Sequence, residues 1–260
     1  MTPTPMTYLP MPHTPIKRLR ITLRRWAGAC SLCGVALLLL ACASQPVPPS
    51  WQANAFSALN DYTSAYLSGN TRLADFELAR AKTEISSTGR ADLMARAELT
   101  RCAVRVASLE LDNCAAYLPL AQDAGPTERA YAAFLTGQWA GLDAALLPAH
   151  HRALVLKVTS DHTATPAAGA INLVAGPGLL TKVEDPLARL VAAGVLLQKN
   201  ALSPADIAQA TETASSQGWR RPLLAWLGVQ RQRAGAASDQ DAATQLQRRI
   251  DLVLQGAPSR

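Results

Sequence analysis

The sequence predicts an all-α fold, a stack of antiparallel helical hairpins over residues 51–256. Three observations carry this. From Trp51 onward apolar residues recur at the three- and four-residue spacing of a helix face. No stretch keeps the two-residue alternation of a strand for more than a few residues, and Thr, Val and Ile are not clustered between turns. Breaks at Gly, Asn, Ser and Pro come often, so the connections are short. The pattern amounts to about ten helices of roughly 8–18 residues, an ordinary length for a globular protein.

Taken in order, the first stripe is Phe56, Leu59, Tyr62, Tyr66 and Leu67, broken by Gly69-Asn70. Leu73, Phe76, Leu78, Ala81 and Ile85 form the second and end at Ser86-Ser87-Thr88-Gly89. A third helix is expected from about Arg90 to Leu109, with Leu99, Cys102, Ala103, Val106 and Leu109 inside, stopped by Asp112-Asn113. A short helix over Ala115 to Gln122 follows, weakened by Pro119. Gly125-Pro126 opens a helix over Thr127 to Thr136, and Gly141 to Leu147 reads as the start of another. After Pro148 comes the apolar stretch Ala153 to Val158. Residues 159–184 are the least periodic and read as a short helix between loops. Asp185-Pro186 is a cap with proline at the first helical position, before the buried face Leu187, Leu190, Val191 and Val195. Ser203-Pro204-Ala205-Asp206 resembles a capping box with Asp in place of Glu or Gln. Trp219 to Arg233 is the next helix, with Leu223, Trp226 and Leu227 inside. Ser238 to Asp241 starts the last one, which is expected to bury Ala242, Leu246, Ile250 and Val253 and to stop at Gly256. Residues 257–260 are a tail.

The first 41 residues are of another kind. Lys17, Arg18, Arg20, Arg24 and Arg25 precede the apolar run Val35-Ala36-Leu37-Leu38-Leu39-Leu40, with small residues at its exit. A basic flank, a short apolar core and small exit residues are the parts of a secretory signal. From Trp26 to Ala41 the run is about sixteen residues, short of the roughly 20 that a permanent span needs. Met1, Met6 and Met11 are the candidate starts, and the later two would give a shorter leader. The formal charge of +6 misleads, because those five basic residues of the leader face no acid. Without them the 25 basic residues become 20 against 19 acidic ones, a net of +1. A nucleic-acid partner needs a basic footprint that this domain lacks.

Leu39-Leu40-Ala41-Cys42 resembles the lipobox of bacterial lipoproteins. The resemblance implies a signal peptide over 1–41, acylation of Cys42, and cleavage just before it. In that family Asp after the cysteine favours the inner membrane. Ala43-Ser44 stands here instead, so the expected address is the outer membrane, lipid-anchored and facing the periplasm. Residues 42–50, with three prolines in Ala43 to Ser50, read as a semi-rigid tether. A second resemblance is internal. Residues 65–78, AYLSGNTRLADFEL, and 133–146, AFLTGQWAGLDAAL, lie 68 apart, twice 34. A helix, a glycine turn and a helix at that period resemble the tetratricopeptide repeat, so the stack is either a TPR-like superhelix or a related helical array. The C-terminal helices do not keep the period.

Candidate site residues are few. Cys30 and Cys33 belong to the leader core, and Cys42 to the anchor, which leaves Cys102 and Cys114 for a disulfide in an oxidising compartment. The bond requires a helix to end between them, since twelve residues of unbroken helix span about 18 Å. His150, His151, Asp161 and His162 are the only dense group of metal-type side chains; they lack helix-face spacing, the plainer reading is two solvent-facing histidines and one in a loop, and no metal or other cofactor is expected. Arg101 and Arg105, flanked by Glu98 and Glu110, read as a solvated face. Trp219, Arg220, Arg221 and Trp226 have the composition of a protein-binding hot spot, against the plainer reading of two tryptophans in the inter-helix core. The motifs sought for serine hydrolases, phosphate loops and zinc hydrolases do not occur. The expected function is therefore a non-enzymatic scaffold or binding module for cell-envelope proteins. The other reading is a helical envelope enzyme, or a regulator of one, acting on peptidoglycan.

Overall fold

The computed structural model describes residues 49–160 and 178–256, which belong to one compact unit, Pro48–Arg260. The segment 1–41, Cys42, residues 43–48 of the tether, His162 and the tail 257–260 lie outside the described residues. Among the described residues the fold is all-α, with no strand and with no helix long and apolar enough to cross a membrane. The nine helices are α1 (Ser50–Ser68), α2 (Thr71–Ser86), α3 (Ala91–Ala107), α4 (Pro126–Leu135), α5 (Ala149–Ser160), α6 (Pro186–Gln198), α7 (Pro204–Ser216), α8 (Arg220–Ala236) and α9 (Gln240–Gln255). Short 3-10 turns lie at Leu118–Leu120, Ala144–Leu146 and Leu179–Lys182. The helix begins at Ser50 with Pro49 as its N-cap residue, so the last two residues assigned to the tether belong to the folded domain.

Local chemistry sets most helix ends. Gly69 closes α1 at φ +87°, a left-handed conformation that favours glycine, and Asn70 then caps α2 by accepting from Leu73 N–H. Asp185, Ser203 and Asp239 cap α6, α7 and α9, accepting from Ala188, Asp206 and Ala242. Asp206 does not complete the reciprocal box. Its carboxylate accepts instead from the Ser203 hydroxyl and from Gly178 N–H.

Packing follows small residues. The buried face of α1 is Ala55, Ala58, Tyr62, Ala65 and Tyr66, and that of α2 is Ala74, Glu77, Ala81 and Ile85. Alanines let the two helix backbones approach, and larger side chains are turned out. Phe56, Leu73 and Phe76, expected inside, are exposed by 68, 44 and 62%. Each sits about a quarter-turn or more from the alanine stripe. The largest core cluster joins α3, α4, α5, α6, α7 and α8 around Leu99, Phe134, Leu190, Leu196, Ile207 and Trp226. α3 and α6 approach closely at one point. A Cβ on Gly194 would lie 2.4 Å from the Val106 carbonyl oxygen.

Three expectations fail for identifiable reasons. Residues 115–122 form turns and one 3-10 turn, because Asn113 and Cys114 both take positive φ and Pro119 lacks an N–H. Residues 141–147 give only Ala144–Leu146, because Gly141 is left-handed and Trp139 folds back to donate its ring N–H to the Phe134 carbonyl. The repeated segments therefore match through the turn, where Gly69 and Gly137 both have positive φ and Leu67 and Leu135 are both buried, and diverge after it. Lastly, α9 buries no residue. Ala242, Leu246, Ile250 and Val253 are only half-buried, since the helix packs against α8 at the end of the array.

The glycines give opposite expectations. Gly194→Ala should lower stability by roughly 1–3 kcal/mol, through a clash with backbone that cannot rotate away. Gly228 and Gly235 of α8 have open space where a Cβ would stand. Alanine at either should raise stability by up to about 1 kcal/mol through helix propensity alone. Urea melts of the three variants would read both signs.

Candidate functional site

The densest polar chemistry surrounds the end of α3. Cys102 on α3 is bonded to Cys114, with 5.2 Å between their Cα atoms. The helix ends at Ala107, so the chain has room to return. Leu109, Asn113 and Cys114 achieve the return with positive φ, and Asp112 steadies it by accepting from Cys114 N–H at 3.1 Å. Arg105 pairs with Glu110 at 3.0 Å and Asp112 at 3.1 Å. Glu98, only 3% exposed, pairs with Lys82 of α2 and Arg101. The segment read as a solvated helix face is thus a half-buried ion network between α2, α3 and the following loop. The crevice beside the disulfide, lined by Glu98, Arg101, Arg105 and Asp112, is too tight for a water molecule. These residues join elements and do not enclose a ligand.

Arg221 extends the junction to α8. It donates to the Tyr66 carbonyl at 2.8 Å, to Thr71 Oγ1 at 2.7 Å and to Glu110 at 3.1 Å, and its guanidinium lies 4.1 Å from the centre of the Tyr66 ring. One fork therefore caps the end of α1, holds the start of α2 and ties the loop after α3. Arg220 donates to Gly256 O at the end of α9 and passes against Gly69. Trp226 is fully buried and donates its ring N–H to the Ala107 carbonyl at 3.2 Å; Trp219 is half-buried against the core. The cluster read as a hot-spot candidate faces inward at Trp226 and Arg221, which corrects the idea that these two present a binding surface. Burial pushes the Tyr62 and Tyr66 phenols above their ordinary range, so both stay neutral.

The histidines divide. His150 is exposed at the start of α5, and His151, next in the chain, has no exposure. Its ring stacks 4.3 Å from Phe134, with Tyr131 at 6.1 Å, and both its nitrogens lack a hydrogen-bond partner. The plain expectation of two solvent-facing histidines is therefore wrong for His151. Among the described residues no His, Cys, Asp and Glu group is arranged to hold a metal ion. Burial first, and the neighbouring His150 second, push the His151 imidazole down to about 3.

Comparison with protein-family models, with curated proteins and with solved structures finds no match. The geometry alone carries the reading. The buried glutamates Glu77, Glu98 and Glu128 are each committed to a basic side chain, Arg80, Lys82 and Arg96 respectively, and buried Asp206 is committed to Ser203 and Gly178. What the first hairpin offers outward is Phe56 and Phe76, two of the three phenylalanines. Helical spacing alone places both on the apolar stripes; the alanine stripes are the sequence signal for the face that is buried.

Two outcomes follow from the site. Replacing both Cys102 and Cys114 by Ser should cost about 3 kcal/mol in the chain-entropy account of a short loop, seen as a lower urea midpoint. His151 gives a pH effect. Its folded value is below its unfolded one, so the unfolded chain takes up the proton first. Stability should fall as pH drops from about 6.5 toward about 3, where the loss is complete. At pH 5 the loss is about 2 kcal/mol. His151→Leu should flatten that part of the profile in denaturant melts at pH 7.5 and 5.

Proposed function

We propose that this chain is a lipid-anchored helical binding or scaffold module of the cell envelope, non-enzymatic and facing the periplasm from the outer membrane. The observation that carries the reading is the Cys102–Cys114 bridge downstream of Leu39-Leu40-Ala41-Cys42. Both domain cysteines are consumed in one bond, as suits an oxidising compartment, and the remaining cysteines lie in or at the end of the apolar leader. A TPR-like superhelix, or a related array of helical hairpins, is the proposed architecture, supported by the matching turns at Gly69 and Gly137. The binding part of the reading is supported by the outward Phe56 and Phe76. Aromatic side chains held in that way are typical anchors for a protein partner.

The anchor is tested by growing the producing cell with radiolabelled fatty acid. Label should enter the wild-type chain and be absent from Cys42→Ser, which should also leave the membrane fraction or stay uncleaved. Equal labelling of the two would end the lipoprotein reading. The binding part is tested with photo-reactive phenylalanine analogues at positions 56 and 76 in living cells. Crosslinks to one envelope protein at these positions, absent from the same analogue at buried Phe134, are the expected result.

A further inference from the structure

α9 carries a second surface, on the side turned away from α8. Asp241, Gln245, Arg248 and Leu252 recur at steps of four, three and four, so they form one stripe along the helix. All four are exposed, and Leu252, at 69%, is the most exposed large apolar side chain described. Asp241 and Arg248 lie seven residues apart, two turns along the same stripe, and neither has an ion-pair partner among the described residues. The acid stands at the amino end of the helix and the base toward its carboxyl end.

That order is complementary to itself when reversed. We propose that α9 is a homodimer contact, in which a second copy of this chain lays its own α9 antiparallel along the stripe. A two-fold axis between Thr244 and Gln245 sets Asp241 opposite Arg248 of the second copy and Arg248 opposite its Asp241. Two reciprocal ion pairs result, and each Leu252, beyond the helix overlap, comes level with Ala237 in the α8–α9 turn of the second copy. The helix beneath suits this role. Its inner apolar residues are half-buried by α8 alone, so a second helix would also shield Leu246 and Val253 along their open edge. The contact is small. Sixteen residues make a helix about 24 Å long, and one helix face falls short of the roughly 800 Å² per partner of a standard interface. The dimer is therefore a reversible one, favoured where anchoring concentrates the chain.

Disulfide trapping of the full chain in intact cells tests it. Gln245→Cys stands beside the two-fold axis, and mild oxidation should join two copies into a covalent dimer. Thr83→Cys, exposed on α2, should give none. Arg248→Glu added to Gln245→Cys should cut the dimer yield about tenfold, by setting acid against acid. Adding Asp241→Arg as well should restore most of it, since the reversed pair is again complementary. Absence of dimer from Gln245→Cys overturns the proposal. So does equal trapping at Thr83→Cys, or a charge swap that fails to restore what the single reversal removed.

Discussion

The close approach of α6 to α3 is the constraint on which the rest depends. Gly194 lets one helix backbone rest on the last turn of the other, where the Val106 carbonyl stands in the way of any side chain. The same turn then receives two more elements. Trp226 of α8 reaches the carbonyl of Ala107, and the chain leaving Ser108 doubles back to place Cys114 on Cys102. Interior packing has little give, so a displaced α6 would be felt at all these contacts together. The end of α3 is where α6, α8 and the loop closed by the disulfide meet.

Charge serves that junction more than it serves a surface. Arg105, Glu110, Asp112 and Arg221 form a connected set, and Arg221 adds the carbonyl at the end of α1. An arginine fork reaches a carbonyl, a hydroxyl and a carboxylate from three separate nitrogens held in one plane, where a lysine would have to serve all three from one point. Lys199 does a simpler version of this at the second turn, donating to Gly137 O beside the Trp139 ring. In both places a basic side chain from a later helix closes the carbonyl end of an earlier one. The domain's near-neutral charge thus conceals a polar framework holding helix ends.

Size proved a poor guide to which side of a helix is buried. In α1 and α2 the inward face is marked by alanine, because short side chains allow close helix contact, and Phe56 and Phe76 are left outside. In α9 the apolar residues do form a stripe, yet only one helix stands against it and none of them is fully buried. His151 errs the other way. A polar residue beside an exposed twin is the one inserted among aromatic rings.

By itself, the sequence determined the helical class and most helix ends. Caps and breaks act within a few residues, so Gly69, Asp185 and Ser203 do their work whatever the rest of the chain does, while the last helix is capped by Asp239 rather than by the preceding Ser238. It also determined that Cys102 and Cys114 could meet only if the helix stopped between them, a matter of helix rise and bond reach. Only the tertiary structure decided which face of each helix is buried, that Arg221 is spent on holding elements together, and that His151 is enclosed. Those outcomes depend on contacts between residues as far apart as Tyr66 and Arg221. No local pattern encodes them, because their energy exists only after the helices have docked.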